Sequence, residues 1–220
     1  MNDSDQPASM IEEIVARTIS GASSKDRFLL GVVGTPGSGK STLAKYLRWR
    51  LGFAPIVEMD GFHFSNGELE RAGMLHRKGA IETFDGHGFV ELLQRIRLLR
   101  EGDTVTAPRF DRSREECVPD AIRIASSDRI VIIEGNYLLS SAPPWSSIRS
   151  ILDLCAYLDV NAATRVQRLI QRHMSYGRSR AEATRFVLNS DERNAALIEE
   201  TRQEADLVLD ISQHDVSTLD

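Results

Sequence analysis

Short apolar runs alternate along this chain with stretches whose apolar residues recur at helical spacing. Phe28–Val33 and Ile130–Ile133 are continuous and strand-sized, and Pro55–Met59, Ile151–Leu158 and Leu207–Leu209 read as three more strands. Ser9–Ile19 places Ile11, Ile14, Val15, Thr18 and Ile19 on one helical face, with Ser9 and Glu12 spaced as a capping box, and residues 21–25 form a loop. A helix runs from about Lys40 to Leu51, and Phe89, Leu92, Leu93, Ile96 and Leu99 mark another. Ala162–His173 and Arg180–Leu188 are helical, broken at Gly177 and restarted by a Ser179/Glu182 capping box; Asp191–Glu204 is the last helix. Buried strands alternating with helices predict an α/β fold, a parallel sheet with helices on both faces and right-handed crossovers. Ligands of such sheets bind beyond the carboxyl ends of the strands. Gly34, Asp60 and Glu134 each sit at such an end, and their convergence carries more weight than any one of them.

The 220 residues suit one domain, with the N-terminal helix and a lid over about 162–188 as its parts. Composition is globular, with 41% apolar and 27% charged residues. No run is long enough to span a bilayer, and the N-terminus lacks a signal pattern, so no membrane partner is expected. Cys117 and Cys155 have no metal or disulfide spacing, which points to the reducing cytoplasm. A net charge of −5 argues against nucleic acid as partner but leaves room for an anionic small ligand, which needs only local positive charge. The first helix is expected to pack on its own domain, with a homodimer contact as the alternative. Trp49 reads as helix packing, and Trp145 as a loop or core residue.

The turn after the first strand carries the chemistry. Gly34-Thr35-Pro36-Gly37-Ser38-Gly39-Lys40-Ser41 is a complete G-x-x-x-x-G-K-[ST] string between strand and helix. Its glycines let backbone N–H groups curl inward, and the helix N-terminus adds its dipole. Lys40 can reach terminal phosphates, and the Ser41 hydroxyl can ligate Mg²⁺. Asp60, in Met-Asp-Gly-Phe-His, is placed to take a proton from a substrate hydroxyl, or else to help hold Mg²⁺. Its plainer reading is a turn cap before Gly61. Glu134 ends its strand where an acidic residue orients the metal or its waters.

Arg165, Arg168 and Arg172 share one helical face, with His173 and Arg178 close behind. They read as a mobile basic lid over a transferring phosphoryl group, against the alternative of a solvated face. Within the long loop Asp60–Asp85 and in Pro108–Arg112, His63, Lys78, Asp111 and Arg112 could line an acceptor site. Lys78 and Arg112 would hold an anionic group and Asp111 a hydroxyl. His63 has no second histidine at metal-ligand spacing, which argues against zinc.

The chain resembles the P-loop kinases grouped as phosphoribulokinase, uridine kinase and bacterial pantothenate kinase. The likeness lies in Gly34–Thr42, Met59-Asp60-Gly61-Phe62-His63, Arg77-Lys78-Gly79 through Thr83-Phe84-Asp85, Ala107–Asp111, Glu134-Gly135 and Arg168–Ser179. It spans roughly residues 27–210. Within the group, the chain is most similar to bacterial nucleoside/nucleotide kinase-like proteins labelled fructose transport system kinases. The resemblance implies a five-stranded parallel sheet with the Glu134 strand beside the first, Mg·ATP as donor bound over Gly34–Thr42, Asp60 as base, and Arg168 and Arg172 in the lid. It favours a sugar as the hydroxyl acceptor, with pantothenate or a nucleoside as alternatives. A reading of another class is a regulatory nucleotide-binding protein. Asp85-Gly86-His87-Gly88 matches its D-x-x-G pattern, but no N-K-x-D element accompanies it.

Overall fold

The computed structural model describes residues 6–211. Helix α1 (Gln6–Ser23) leads into β1 (Phe28–Gly34), and α2 (Lys40–Arg50) follows the glycine turn. Strand β2 (Ile56–Glu58) ends in a tight 3-10 turn, Met59–Phe62. The chain then passes through α3 (Asn66–Arg71) and two single turns to α4 (Gly86–Arg97). After the β3–β4 hairpin (Thr104–Asp111, Glu116–Ala125) come β5 (Ile130–Gly135), α5 (Ile148–Ile151) and β6 (Leu154–Asp159). Helices α6 (Ala162–Ser175), α7 (Arg180–Phe186) and α8 (Glu192–Glu199) lead to β7 (Leu207–Asp210). A π-helical turn, Val187–Asp191, joins α7 to α8.

Five strands form one sheet in the order β2-β5-β1-β6-β7, each pair parallel. The twofold alternation of side chains divides β1 between two cores. Leu29 and Val33 pack with α4, the hairpin and Trp145, whereas Phe28, Leu30 and Val32 pack with α1 and α2. All seven β1 residues are buried, as a central parallel strand requires. The register sets Glu134 opposite both Val32 and Glu58. One acidic side chain of β5 therefore lies two residues short of the level of the glycine turn. Among the described residues no helix is long and apolar enough to cross a membrane. Both cysteines are free thiols.

Several expectations shift. Helix α1 begins at Gln6, so Ser9 lies inside its first turns, and Glu12 pairs with Arg50 instead of closing a cap. The helix also absorbs residues 21–23 of the expected loop. Ile19 is half exposed, and Trp49 is 62% exposed, touching Tyr46 at its edge; neither is core. Ile151 ends a helix, because Asp153 receives the Leu29 N–H and the side chains of Lys25 and Arg97 before β6 can begin. The β3–β4 hairpin has no apolar run to announce it: only Val105, Ala107 and Ile124 are buried along it. It rests on the turn after β2, where a Cβ at Gly61 would lie 2.4 Å from the Pro108 carbonyl oxygen. Glycine is needed there for close approach.

Arg27, 4% exposed, fastens this layer. Its guanidinium donates to the carbonyls of Ile96 (2.7 Å), Ser126 (2.8 Å) and Asp128 (3.1 Å), joining the end of α4 to the turn after β4. Arg27→Ala strands these carbonyls and is expected to cost about 2–3 kcal/mol in urea-unfolding free energy. A loss under about 0.5 kcal/mol would contradict the role.

Candidate active site

The phosphate-type turn is shaped by φ values that favour glycine. Gly37 (φ 78°) leaves no room for a Cβ, which would lie 2.9 Å from the Arg165 carbonyl oxygen and from Leu169 Cγ. Gly39 (φ 98°) caps α2 without a side chain. Helices α3, α4, α6 and α7 are instead closed by Ser65, Asp85, Asn161 and Ser179. The first N–H groups of α2 are thus left to a ligand, at the positive end of the helix dipole. Ser38 Oγ is buried with no hydrogen-bond partner among the described residues.

Three ionisable groups meet at the strand ends. Lys40, 7% exposed, donates only to the Thr35 carbonyl, at 3.1 Å. Burial depresses it to about 8, against the pull of Glu134 and Asp60. Glu134 accepts from the Ser41 hydroxyl at 3.1 Å. Burial pushes its carboxyl up to about 7, Lys40 opposing and Asp60 and Glu58 reinforcing. For Asp60, burial acts upward too. The Arg112 guanidinium, with His63, Lys40 and Arg172, outweighs it and holds the carboxyl below the usual range. Arg112 Nη2 donates to Asp60 Oδ2 at 2.7 Å.

These groups open on one cleft of about 720 Å³. The cleft unites Pro36, Gly37, Gly39–Thr42, Asp60, His63, Lys78, Arg112, Glu134, Arg168 and Arg172. Arg168 donates to the Ser38 carbonyl at 3.4 Å, against the turn itself. Arg172 forms no hydrogen bond or ion pair among the described residues; burial and Arg112 lower its affinity for its proton. Gly34 ends β1 beneath the turn, and Thr35 supplies the carbonyl that holds Lys40.

Two expected residues stand elsewhere. Arg165 is 1% exposed and lies beneath the cleft, bound to Glu192 (2.9 Å), Glu199 (3.2 Å) and the Pro36 carbonyl (3.4 Å). It fastens α6 and α8 to the turn and is no lid charge. Asp111 does not line the cleft, because its carboxylate is taken by the Ser113 N–H and hydroxyl in the hairpin turn. The structure adds Asn66, Phe84, Phe110, Glu115, Asn136, Tyr176, Asp191 and Asn194 to the lining. Asp191 and Asn194 arrive through the π-turn, a local departure that apolar periodicity does not encode.

The donor set fits its expected ligands. A hydroxyl and a buried carboxylate make a hard-oxygen pair suited to Mg²⁺, and an ammonium, arginines and an open helix N-terminus suit a polyphosphate.

Comparison with known proteins agrees. The model of the "Phosphoribulokinase / Uridine kinase family" matches residues 29–217. A Schizosaccharomyces pombe protein named "Putative uridine kinase C227.14" is 34% identical over 213 residues, covering 91% of this chain and 90% of that protein. A Mycolicibacterium gilvum pantothenate kinase is 30% identical over 60% of this chain and 43% of its own length. A crystal structure from Silicibacter sp. TM1040, described as a "putative fructose transport system kinase", superposes with a TM-score of 0.80 at 38% identity, covering 89% of this chain and 98% of that one. With the phosphate-type turn, the acidic strand ends and the parallel sheet already in place, the chain belongs to the phosphoribulokinase/uridine kinase family and is an ATP-dependent small-molecule kinase.

Proposed function

We propose that this kinase transfers the γ-phosphate of Mg·ATP to a hydroxyl of a small polyhydroxylated, sugar-like metabolite. The observation that carries the reading is a shared cleft: an ionised Asp60 and the open N-terminus of α2 face the same space. Ser41 and Glu134 would hold Mg²⁺, which when bound neutralises phosphate charge. The backbone amides of residues 37–42 would hold the phosphates. Lys40 leaves the Thr35 carbonyl for a phosphate oxygen. Arg112 occupies Oδ2 of Asp60, which leaves Oδ1 to take the hydroxyl proton. As the acceptor oxygen bonds to phosphorus, the bond from phosphorus to the ADP oxygen breaks, and Arg168 and Arg172 stabilise the spread charge.

Pantothenate or a nucleoside would meet the same machinery with a different acceptor. The switch-like D-x-x-G reading loses its key residue, because Asp85 caps α4, accepting from the Gly88 N–H at 2.9 Å. An ADP-release screen over hexoses, pentoses, nucleosides and pantothenate tests the acceptor class; a sugar is expected to give the fastest release.

Two substitutions test the assignments. Asp60→Asn is expected to lower kcat about 10²- to 10⁴-fold with little change in KM for ATP, and unaltered turnover would reject Asp60 as base. Glu134→Gln should abolish Mg²⁺-dependent turnover while stabilising the ligand-free protein. The native carboxyl ionises near 7 and an unfolded one near its model value of 4.5. Stability of the unmutated chain therefore falls as pH rises between these values, and the penalty stays in full above 7. The variant escapes it, gaining about 1–3 kcal/mol at pH 8 and little at pH 4.5. A gain equal at both pH values, or a loss at pH 8, would contradict the electrostatic account.

A further inference from the structure

At the far end of the cleft, Lys78 stands on the loop between the turns Leu75–Arg77 and Ile81–Thr83. Its ammonium donates to Asn66 Oδ1 (2.6 Å) and to the Glu115 carbonyl (3.0 Å), and lies 5.2 Å from the centre of the Phe110 ring. Both hydrogen-bonding oxygens are uncharged. An ammonium has three N–H donors, so one remains. The nearest carboxylate, Glu115, stands 3.9 Å away on a side chain 57% exposed, a pair worth little. Lys78 itself is only 14% exposed.

The backbone beneath it is held more firmly than a solvated lysine requires. Gly79 accepts from Tyr137 Oη (2.8 Å) and Asn194 Nδ2 (3.2 Å), and its N–H donates to Thr83 Oγ1 (3.0 Å). All three partners are buried, and they come from the segment after β5, from α8 and from the loop itself. The charged groups around Lys78 lie on the hairpin (Glu115, Glu116) and are not those around Lys40 (Glu134, Asp60, Arg172, Arg112). Lys78 therefore serves the acceptor end and not the phosphate turn.

His63 stands between the two ends, influenced by both Asp60 and Lys78. Its ring packs on Phe84 (3.9 Å) and Phe110 (5.1 Å), and Nδ1 meets the Asp60 carbonyl at 2.9 Å. A carbonyl only accepts, which places the proton on Nδ1 and leaves Nε2 to accept.

We propose that Lys78 is an anion-binding post, so that the acceptor is a small hydroxy compound bearing a carboxylate or phosphate. Its reacting hydroxyl lies at Asp60, and a second hydroxyl donates to His63. This rests on the kinase reading and narrows it.

The test compares matched probes at fixed Mg·ATP: sorbitol with gluconate, ribose with ribose 5-phosphate, fructose with fructose 6-phosphate, and pantothenyl alcohol with pantothenate. In at least one pair the anionic member should show kcat/KM at least 10-fold above its neutral partner, and the carboxylate and phosphate arms identify which anion is read. Lys78→Met should cut that ratio at least 10-fold by raising the acceptor KM, and Lys78→Arg should restore most of it. Neutral probes equalling or exceeding their partners in every pair would overturn the proposal, as would a ratio untouched in Lys78→Met. Absence of ADP release with every probe would count against the kinase reading. Titration calorimetry of the same pairs then decides the anion site: tighter anion binding that depends on Lys78 supports it, and no such preference overturns it.

Discussion

The structure is organised around charge buried at the carboxyl ends of β1, β2 and β5. Lys40 and Glu134 are both driven toward their neutral forms by burial, while Asp60 stays ionised through Arg112 and its other cationic neighbours. Such a set is costly in a ligand-free chain. On the proposed reading the ligand supplies what is missing: phosphate oxygens for Lys40, and a divalent cation for Ser41 and Glu134. A site arranged this way is matched to a highly charged guest, because the charges that bind it are already desolvated and fixed.

Rigid parts hold that arrangement. The parallel register brings Glu134 level with Glu58 and below the glycine turn. Arg165 ties the turn to α6 and to the acidic side chains of α8, so the helices around the cleft share one buried guanidinium. The hairpin leans on Gly61 and brings Arg112 to Asp60, so one side chain sets both the charge and the orientation of that acid. The acceptor end is separate, built on the loop that Tyr137 and Asn194 hold through Gly79.

The sheet was legible because central parallel strands must be continuously apolar, and the five runs from Phe28 to Leu209 are. The glycine turn was legible because its backbone demands particular residues. The hairpin was not, since its exposed, charged strands bury only three side chains and pair through the backbone. Helical spacing put Arg165 with Arg168 and Arg172, yet could not reveal that Glu192 and Glu199 approach it from 27 and 34 residues away. Asp111 looked available because its neighbour Ser113 gave no sign of claiming it. Asp191 and Asn194 reach the cleft through a π-turn, whose extra residue breaks the 3.6-residue period by which helix faces are read.

The central claim, that a charged guest relieves this buried set, predicts proton exchange on binding. Titration calorimetry of Mg·ATP in buffers of different ionisation enthalpy measures it directly. Near pH 6.5 the Glu134 carboxyl, with its pKa near 7, must give up a proton to become a ligand, so net release is expected. Near pH 8.5 Lys40, with its pKa near 8, must gain one to meet a phosphate, so net uptake is expected. Heats independent of buffer at both pH values would contradict the account.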